Sequence, residues 1–155
     1  MGLFSFFKRK QIDFFTAEER QQIVATICTA EKATSGEIRI FVESNNRFVD
    51  PIDRAKEIFF KLKMQDTAHR NAVLLYIAMK DHQLALFADE GIYQKTGETY
   101  WNDAVKKMLT EFSKENISNG ITQCILQIGE TLKEKFPYEA LTDKNELPDN
   151  IVFGK

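Results

Sequence analysis

The sequence predicts an α/β fold, a three-layer α/β/α sandwich with a small mixed sheet between helices. Three observations lead there. Segments of helical and strand periodicity follow one another in the order helix, strand, helix, strand, strand, helix, helix. A strand–helix–strand unit closes as a parallel pair with a right-handed crossover. The stretch RNAVLLYIAMKDHQLALFADEGI, residues 70–92, reads as a β-hairpin whose first strand is apolar enough to be buried on both faces. With 155 residues the chain can bury one such core.

Each element has its own signal. Thr16-Ala17-Glu18-Glu19 is a capping box, and Ile23, Val24, Ile27, Cys28 and Glu31 follow at helical spacing, four of the five apolar. This helix is expected to stop at Thr34-Ser35-Gly36. EIRIFVE, residues 37–43, alternates, with Ile38, Ile40 and Val42 on one face and Glu37, Arg39, Phe41 and Glu43 on the other. Asp50-Pro51 starts the second helix, with Asp at the cap and Pro at the first position. Its buried stripe is Ala55, Ile58, Phe59 and Leu62. After the hairpin, a helical turn or two precedes Gly97, and Trp101, Val105, Met108, Leu109 and Phe112 mark the next helix. Ile117–Gly120 reads as a break, and Ile121, Cys124, Ile125, Ile128 and Leu132 mark the last long helix, ending near Pro137.

This gives an N-terminal arm over residues 1–15, an α/β domain over 16–137 and a polar C-terminal tail over 138–155 that packs partly on the domain. In the arm, Leu3–Phe7 is too short to span a bilayer or serve as a signal h-region. It is either a loose arm or a weak membrane-surface contact, with Phe4, Phe6 and Phe7 inserted and Lys8 and Arg9 on headgroups. No transmembrane segment occurs in the sequence, so a cytoplasmic monomer is expected. A net charge of −2 without a large basic block argues against a nucleic-acid binder. Cys28 and Cys124 both fall in helical apolar patterns and read as buried thiols rather than a disulfide.

The topology places polar groups. The two parallel strands start on one edge, at Glu37 and at Arg70-Asn71, and the third runs back to end there at Asp89-Glu90-Gly91. Carboxylates of Glu37, Asp89 and Glu90 are therefore expected to face Arg70, with Asp66 and Thr67 nearby. Such an edge suits a hard cation, calcium or magnesium, which takes oxygen ligands. The plainer reading is a structural ion pair between Arg70 and Asp89 with ordinary turn residues around it. Elsewhere, residues 143–149 begin like an EF-hand loop but carry Pro148 where the glycine belongs, so an acidic tail is the better reading. His69 and His82 lack partners at zinc spacing, and no GxSxG, glycine-rich phosphate loop or CxxC occurs.

Together, TSGEIRIFVE at 34–43, KMQDTAHRNAVLLYIAMKDHQLALFADEGI at 63–92, NGITQCILQIGETLKEKFP at 119–137 and NELPD at 145–149 resemble the TPM domain. That family is named for a thylakoid lumen protein, a photosystem II repair protein and an acetylcholine-receptor modulator. The resemblance implies an α/β/α sandwich. It also implies binding of calcium or other divalent metals, and in some members acid phosphatase activity. Many members carry a signal peptide and a membrane helix, and this chain is similar to the short stand-alone bacterial branch. The resemblance carries over to Asp89 most directly and extends to Glu37, Asp66, Arg70 and Asn71, with Ala88 standing where that branch has glycine. The leading expectation is a divalent-cation-binding module, with metal ligands among Asp89, Glu90, Glu37 and Asp66, that acts through a protein partner. The alternatives are a metal-dependent acid phosphatase, with Arg70 and Asn71 on the phosphoryl group, and a membrane-surface adaptor working through the arm.

Overall fold

The structure, a computed structural model, describes residues 14–47, 50–113, 116–139 and 147–154. The arm residues Phe4, Phe6, Phe7, Lys8 and Arg9 and the acidic run 143–146 lie outside the described residues.

The elements are α1 (Ala17–Glu31), β1 (Glu37–Glu43), α2 (Pro51–Lys61), β2 (Ala72–Ala78), β3 (Gln83–Ala88), α3 (Glu90–Thr96), α4 (Glu98–Ser113), α5 (Ile117–Lys135) and β4 (Val152–Phe153). Local chemistry sets their starts. Thr16 Oγ1 accepts the Glu19 amide at 3.0 Å, and Glu19 Oε1 accepts the Thr16 amide at 2.8 Å, so the capping box is complete. Asp50 Oδ1 accepts the Ile52 amide at 3.0 Å, one residue beyond the proline at the first helical position.

The sheet order is β3-β2-β1-β4. β1 and β2 are parallel, with Glu37 opposite Ala72 and Glu43 opposite Ala78, and β2 and β3 are antiparallel. The tail contributes a fourth strand that the sequence does not signal: β4 runs parallel to β1, with Phe41 opposite Val152. Two residues carry no readable periodicity; packing of Leu147 and Ile151 brings them in.

Two cores lie on opposite faces of the sheet. Ile38, Ile40, Val73, Leu75 and Ile77 pack with α1, α4 and α5 through residues such as Ile23, Ile27, Met108 and Ile128. Phe41, Leu74 and Tyr76 pack under α2 with Ala55, Ile58 and Phe59. β1 departs from the half-apolar strand its alternation implies: Glu37, Arg39 and Glu43 are only 2%, 8% and 3% exposed. The sandwich covers its polar face as completely as its apolar one.

The break expected at Ile117–Gly120 is not there, since α5 begins at Ile117. A Cβ on Gly120 would lie 2.8 Å from the Glu111 Cβ. That glycine is a contact point between α4 and α5, not a helix stop. Gly91 is under a stricter constraint. A Cβ there would sit 2.3 Å from the His69 carbonyl and 2.6 Å from that of Arg70, both backbone atoms that cannot swing aside. Gly91→Ala should therefore cost about 2–4 kcal/mol in urea unfolding. Gly97→Ala, with nothing within 4 Å, should cost about 1–3 kcal/mol from backbone strain alone, since φ +80° and ψ 168° form a setting that glycine alone adopts readily.

Candidate metal centre

The hairpin edge forms as a backbone weave. The Glu37 amide donates to the Asn71 carbonyl at 3.2 Å, Asp89 to Ala72 at 3.0 Å and Gly91 to Arg70 at 3.0 Å. Arg70 is held at φ +50°, an uncommon setting for a residue with a Cβ, and its guanidinium forks onto Asp89. Nε reaches Oδ2 at 2.8 Å and Nη2 reaches Oδ1 at 2.9 Å, while Nη1 lies 3.3 Å from Glu90 Oε1. Asp89 is buried and also caps α3, its Oδ1 accepting the Glu90 amide at 2.8 Å. The hydrogen bonds Arg70 donates to Asp89 are the main cause that raises its pKa, and the charges of Asp89, Glu90 and the exposed Asp66 add to them. Asn71 is fully buried; its amide donates to Thr67 Oγ1 and its Nδ2 to Ser35 Oγ.

Thus Asp89, Glu90, Asp66 and Arg70 come together as the topology argument expects. Glu37 does not join them. It and Asp89 flank Ala72 on neighbouring strands, so two strand spacings, roughly 9.5 Å, separate their backbones, and the Glu37 carboxylate gathers with those of Glu31 and Asp149.

Glu37 gathers a different set. Glu31, the last residue of α1, Glu37, the first of β1, and Asp149, just before β4, each place a carboxylate oxygen within 4.8 Å of the other two. Glu31 Oε2 accepts the Ile38 amide at 2.7 Å. Burial is the main force pushing the Glu31 carboxyl far above the usual carboxylate range, and hydrogen bonding to Asp149 and the charge of Glu37 push the same way. The Cys28 thiol donates to Asp149 Oδ2 at 3.2 Å, and that bond, with burial, raises its pKa and keeps it a thiol. Arg39 is buried close enough for the Asp149 charge to oppose the lowering of its pKa by burial.

The other end of β1 is compensated differently. Glu43 receives Arg54 Nε and Nη2, each at 2.9 Å, and the Tyr76 hydroxyl, while Arg54 Nη1 reaches Glu57 at 2.9 Å. A buried carboxylate there is met by an arginine fork. At the Glu37 end three carboxylates gather with Arg39 near Asp149, a set that protons or a hard cation can hold together.

Glu31 and Asp149 are absent from the sequence-derived ligand set. The sequence does carry a signal for Glu31: it occupies the apolar stripe of its helix, where a charged residue needs a reason. Asp149 falls in the acidic run 143–149 and the NELPD motif, but nothing in the sequence joins it to Glu31 and Glu37; only the return of the tail to β1 brings it near.

The Asp89 fork makes a direct prediction. Asp89→Ala removes both the cap and the fork, and should cost about 2–4 kcal/mol in urea unfolding. Arg70→Gln should cost less, since the Arg70 side chain is 40% exposed and the α3 cap survives.

Residues 9–131 match the family model of the TPM domain. The chain is similar to the BA42 protein of the psychrophilic bacterium Bizionia argentinensis, whose NMR structure superposes with a TM-score of 0.83 at 36% identity, covering 90% of this chain and 95% of that one. It is also similar in fold to the N-terminal domain of the cg2496 protein from Corynebacterium glutamicum, with a TM-score of 0.61 at 13% identity, covering 77% and 74% of the two chains. No curated protein matches the chain. With the α/β/α sandwich in place and most of its length matched, the chain belongs to the TPM-domain family.

Proposed function

We propose that this TPM-domain chain binds a divalent cation, calcium or magnesium, and acts through a protein partner. The observation that carries the cation half is the meeting of Glu31, Glu37 and Asp149 within 4.8 Å. These ligands come from a helix end, a strand start and the segment before β4. Oxygen donors of this kind suit a hard cation rather than zinc or copper. With all three ionised beside Arg39, the cluster carries two net negative charges, which a divalent ion neutralises. In its absence Glu31 keeps its proton and hydrogen-bonds to Asp149. Cation binding therefore releases a proton and tightens as pH rises. It also fastens the segment leading into β4 to β1.

A metal-dependent acid phosphatase is the second reading, and the TPM family resemblance favours it. It requires Arg70 to leave Asp89 and bind the phosphoryl group. Hydrolysis of p-nitrophenyl phosphate that is lost in Arg70→Ala would support it. The membrane-surface reading concerns Phe4, Phe6, Phe7, Lys8 and Arg9, outside the described residues, and co-sedimentation with anionic liposomes tests it. Among the described residues no helix is long and apolar enough to cross a membrane, and a cytoplasmic, monomeric protein remains part of this proposal.

Glu31→Gln separates the states. Because the folded protein raises the Glu31 pKa above its ordinary value of 4.5, the stability tied to its proton is complete below that value. It is lost progressively as pH rises from there toward the raised value. With a chelator present, the melting temperature of the natural protein should fall across pH 5–9, while Glu31→Gln stays flatter and melts about 2–4 °C higher near the alkaline end. Calcium or magnesium at about millimolar concentration should raise the melting temperature of the natural protein and leave Glu31→Gln unmoved. An equal cation-induced rise in both would remove the cluster from the proposal.

A further inference from the structure

Arg39 stands between the two carboxylates of β1. Glu37, Arg39 and Glu43 alternate with Ile38, Ile40 and Val42, so the three charged residues share the face of the strand opposite the larger core. Two residues along a strand, about 7 Å, separate the Arg39 backbone from that of Glu37. The Asp149 carboxylate is near enough for its charge to act on the guanidinium. Arg54 donates Nε and Nη2 to Glu43. Arg39 makes no fork of that kind: it is only 8% exposed, and its buried Nε has no hydrogen-bond partner.

Burial holds this charge in place. An exposed arginine swings into water when a cation arrives. A covered one on an inner strand, with β2 on one side and β4 on the other, stays where it is. It therefore repels any ion among Glu31, Glu37 and Asp149, and the repulsion grows in proportion to the charge of that ion. With Arg39 the three ionised carboxylates leave two net negative charges, the match for a divalent ion. Without it they leave three, the match for a trivalent one.

We propose that Arg39 is the specificity-determining residue of the Glu31–Glu37–Asp149 cluster, a fixed positive charge that fits the site to divalent cations and disfavours trivalent cations of the same size. This rests on the cation half of the proposed function. It also accounts for the unpartnered Nε. An arginine forked onto Glu37 or Asp149, as Arg54 is onto Glu43, would take that carboxylate from the ion. Arg39 supplies its charge and leaves the oxygens to the cation.

Calcium and lanthanum ions have nearly the same radius and differ in charge, so the ratio of their affinities reads the charge of the site. The test is titration calorimetry of the full chain with each ion near neutral pH, on the natural protein, Arg39→Met and Arg39→Lys. Proton release accompanies both ions and cancels in the ratio. Arg39→Met should raise the preference for lanthanum over calcium by about tenfold or more, the effect of losing one unit charge about 7 Å away at an effective dielectric constant of about 20. Arg39→Lys keeps the charge and should hold the ratio within about twofold. Arg39→Gln replaces Arg39→Met if the latter does not fold. A ratio that stays put when the charge is removed, or that moves equally in Arg39→Lys, overturns the inference, because mere loosening of β1 acts on both ions and in both variants. Absence of calcium binding by the natural protein, or binding unchanged in Glu31→Gln, overturns the cation reading itself, so the two failures are distinct.

Discussion

The burial of β1 is the constraint on which the rest of the structure depends. All seven of its residues are buried, and three of them, Glu37, Arg39 and Glu43, are charged. A charge taken out of water must be met by a partner or surrender its ionisation. Glu43 is met by Arg54, Tyr76 and, through Arg54, Glu57, all supplied by α2 and β2. Glu37 is met by two further carboxylates from α1 and the tail. One end of the strand is neutralised by the protein itself. The other gathers three carboxylates, with Arg39 close to Asp149. That difference is the reason the cation is proposed at the Glu37 end.

The same constraint shapes the sheet's edges. The tail returns to β1 because Leu147 and Ile151 have cores to join, and its return delivers Asp149 to Glu31 and Glu37. The β4 edge is thereby short and tied to the acidic cluster. The β3 edge is longer, six residues, and its Leu84, Leu86 and Ala88 are buried.

What could be read from the sequence followed the range of the interactions. Thr16 with Glu19, Asp50 with Pro51, and the 83–88 strand are specified by neighbours a few residues away, and the structure has them as read. The meeting of Arg70 with Asp89 was reachable because parallel and antiparallel pairing fix which strand ends share an edge. Pairing does not say how far apart along that edge two residues fall, and so Glu37 was grouped with Asp89 although Ala72 stands between them. Gly120 read as a breaker because its requirement, close approach of α4 to α5, is tertiary. The meeting of Asp149, legible only as part of the acidic run 143–149, with Glu31 and Glu37 is tertiary for the same reason, while Glu31 shows in the sequence as a charge in an apolar stripe.

The central claim is that the carboxylates of Glu31, Glu37 and Asp149 form a cation site. The most direct measurement is a crystal of the full chain soaked in manganese, with the ion located by its anomalous scattering. A cation site there gives a peak bounded by those three side chains, with Glu31 and Asp149 both on the ion. A peak beside Asp89 and Glu90 instead, or none between Glu31, Glu37 and Asp149, would contradict it.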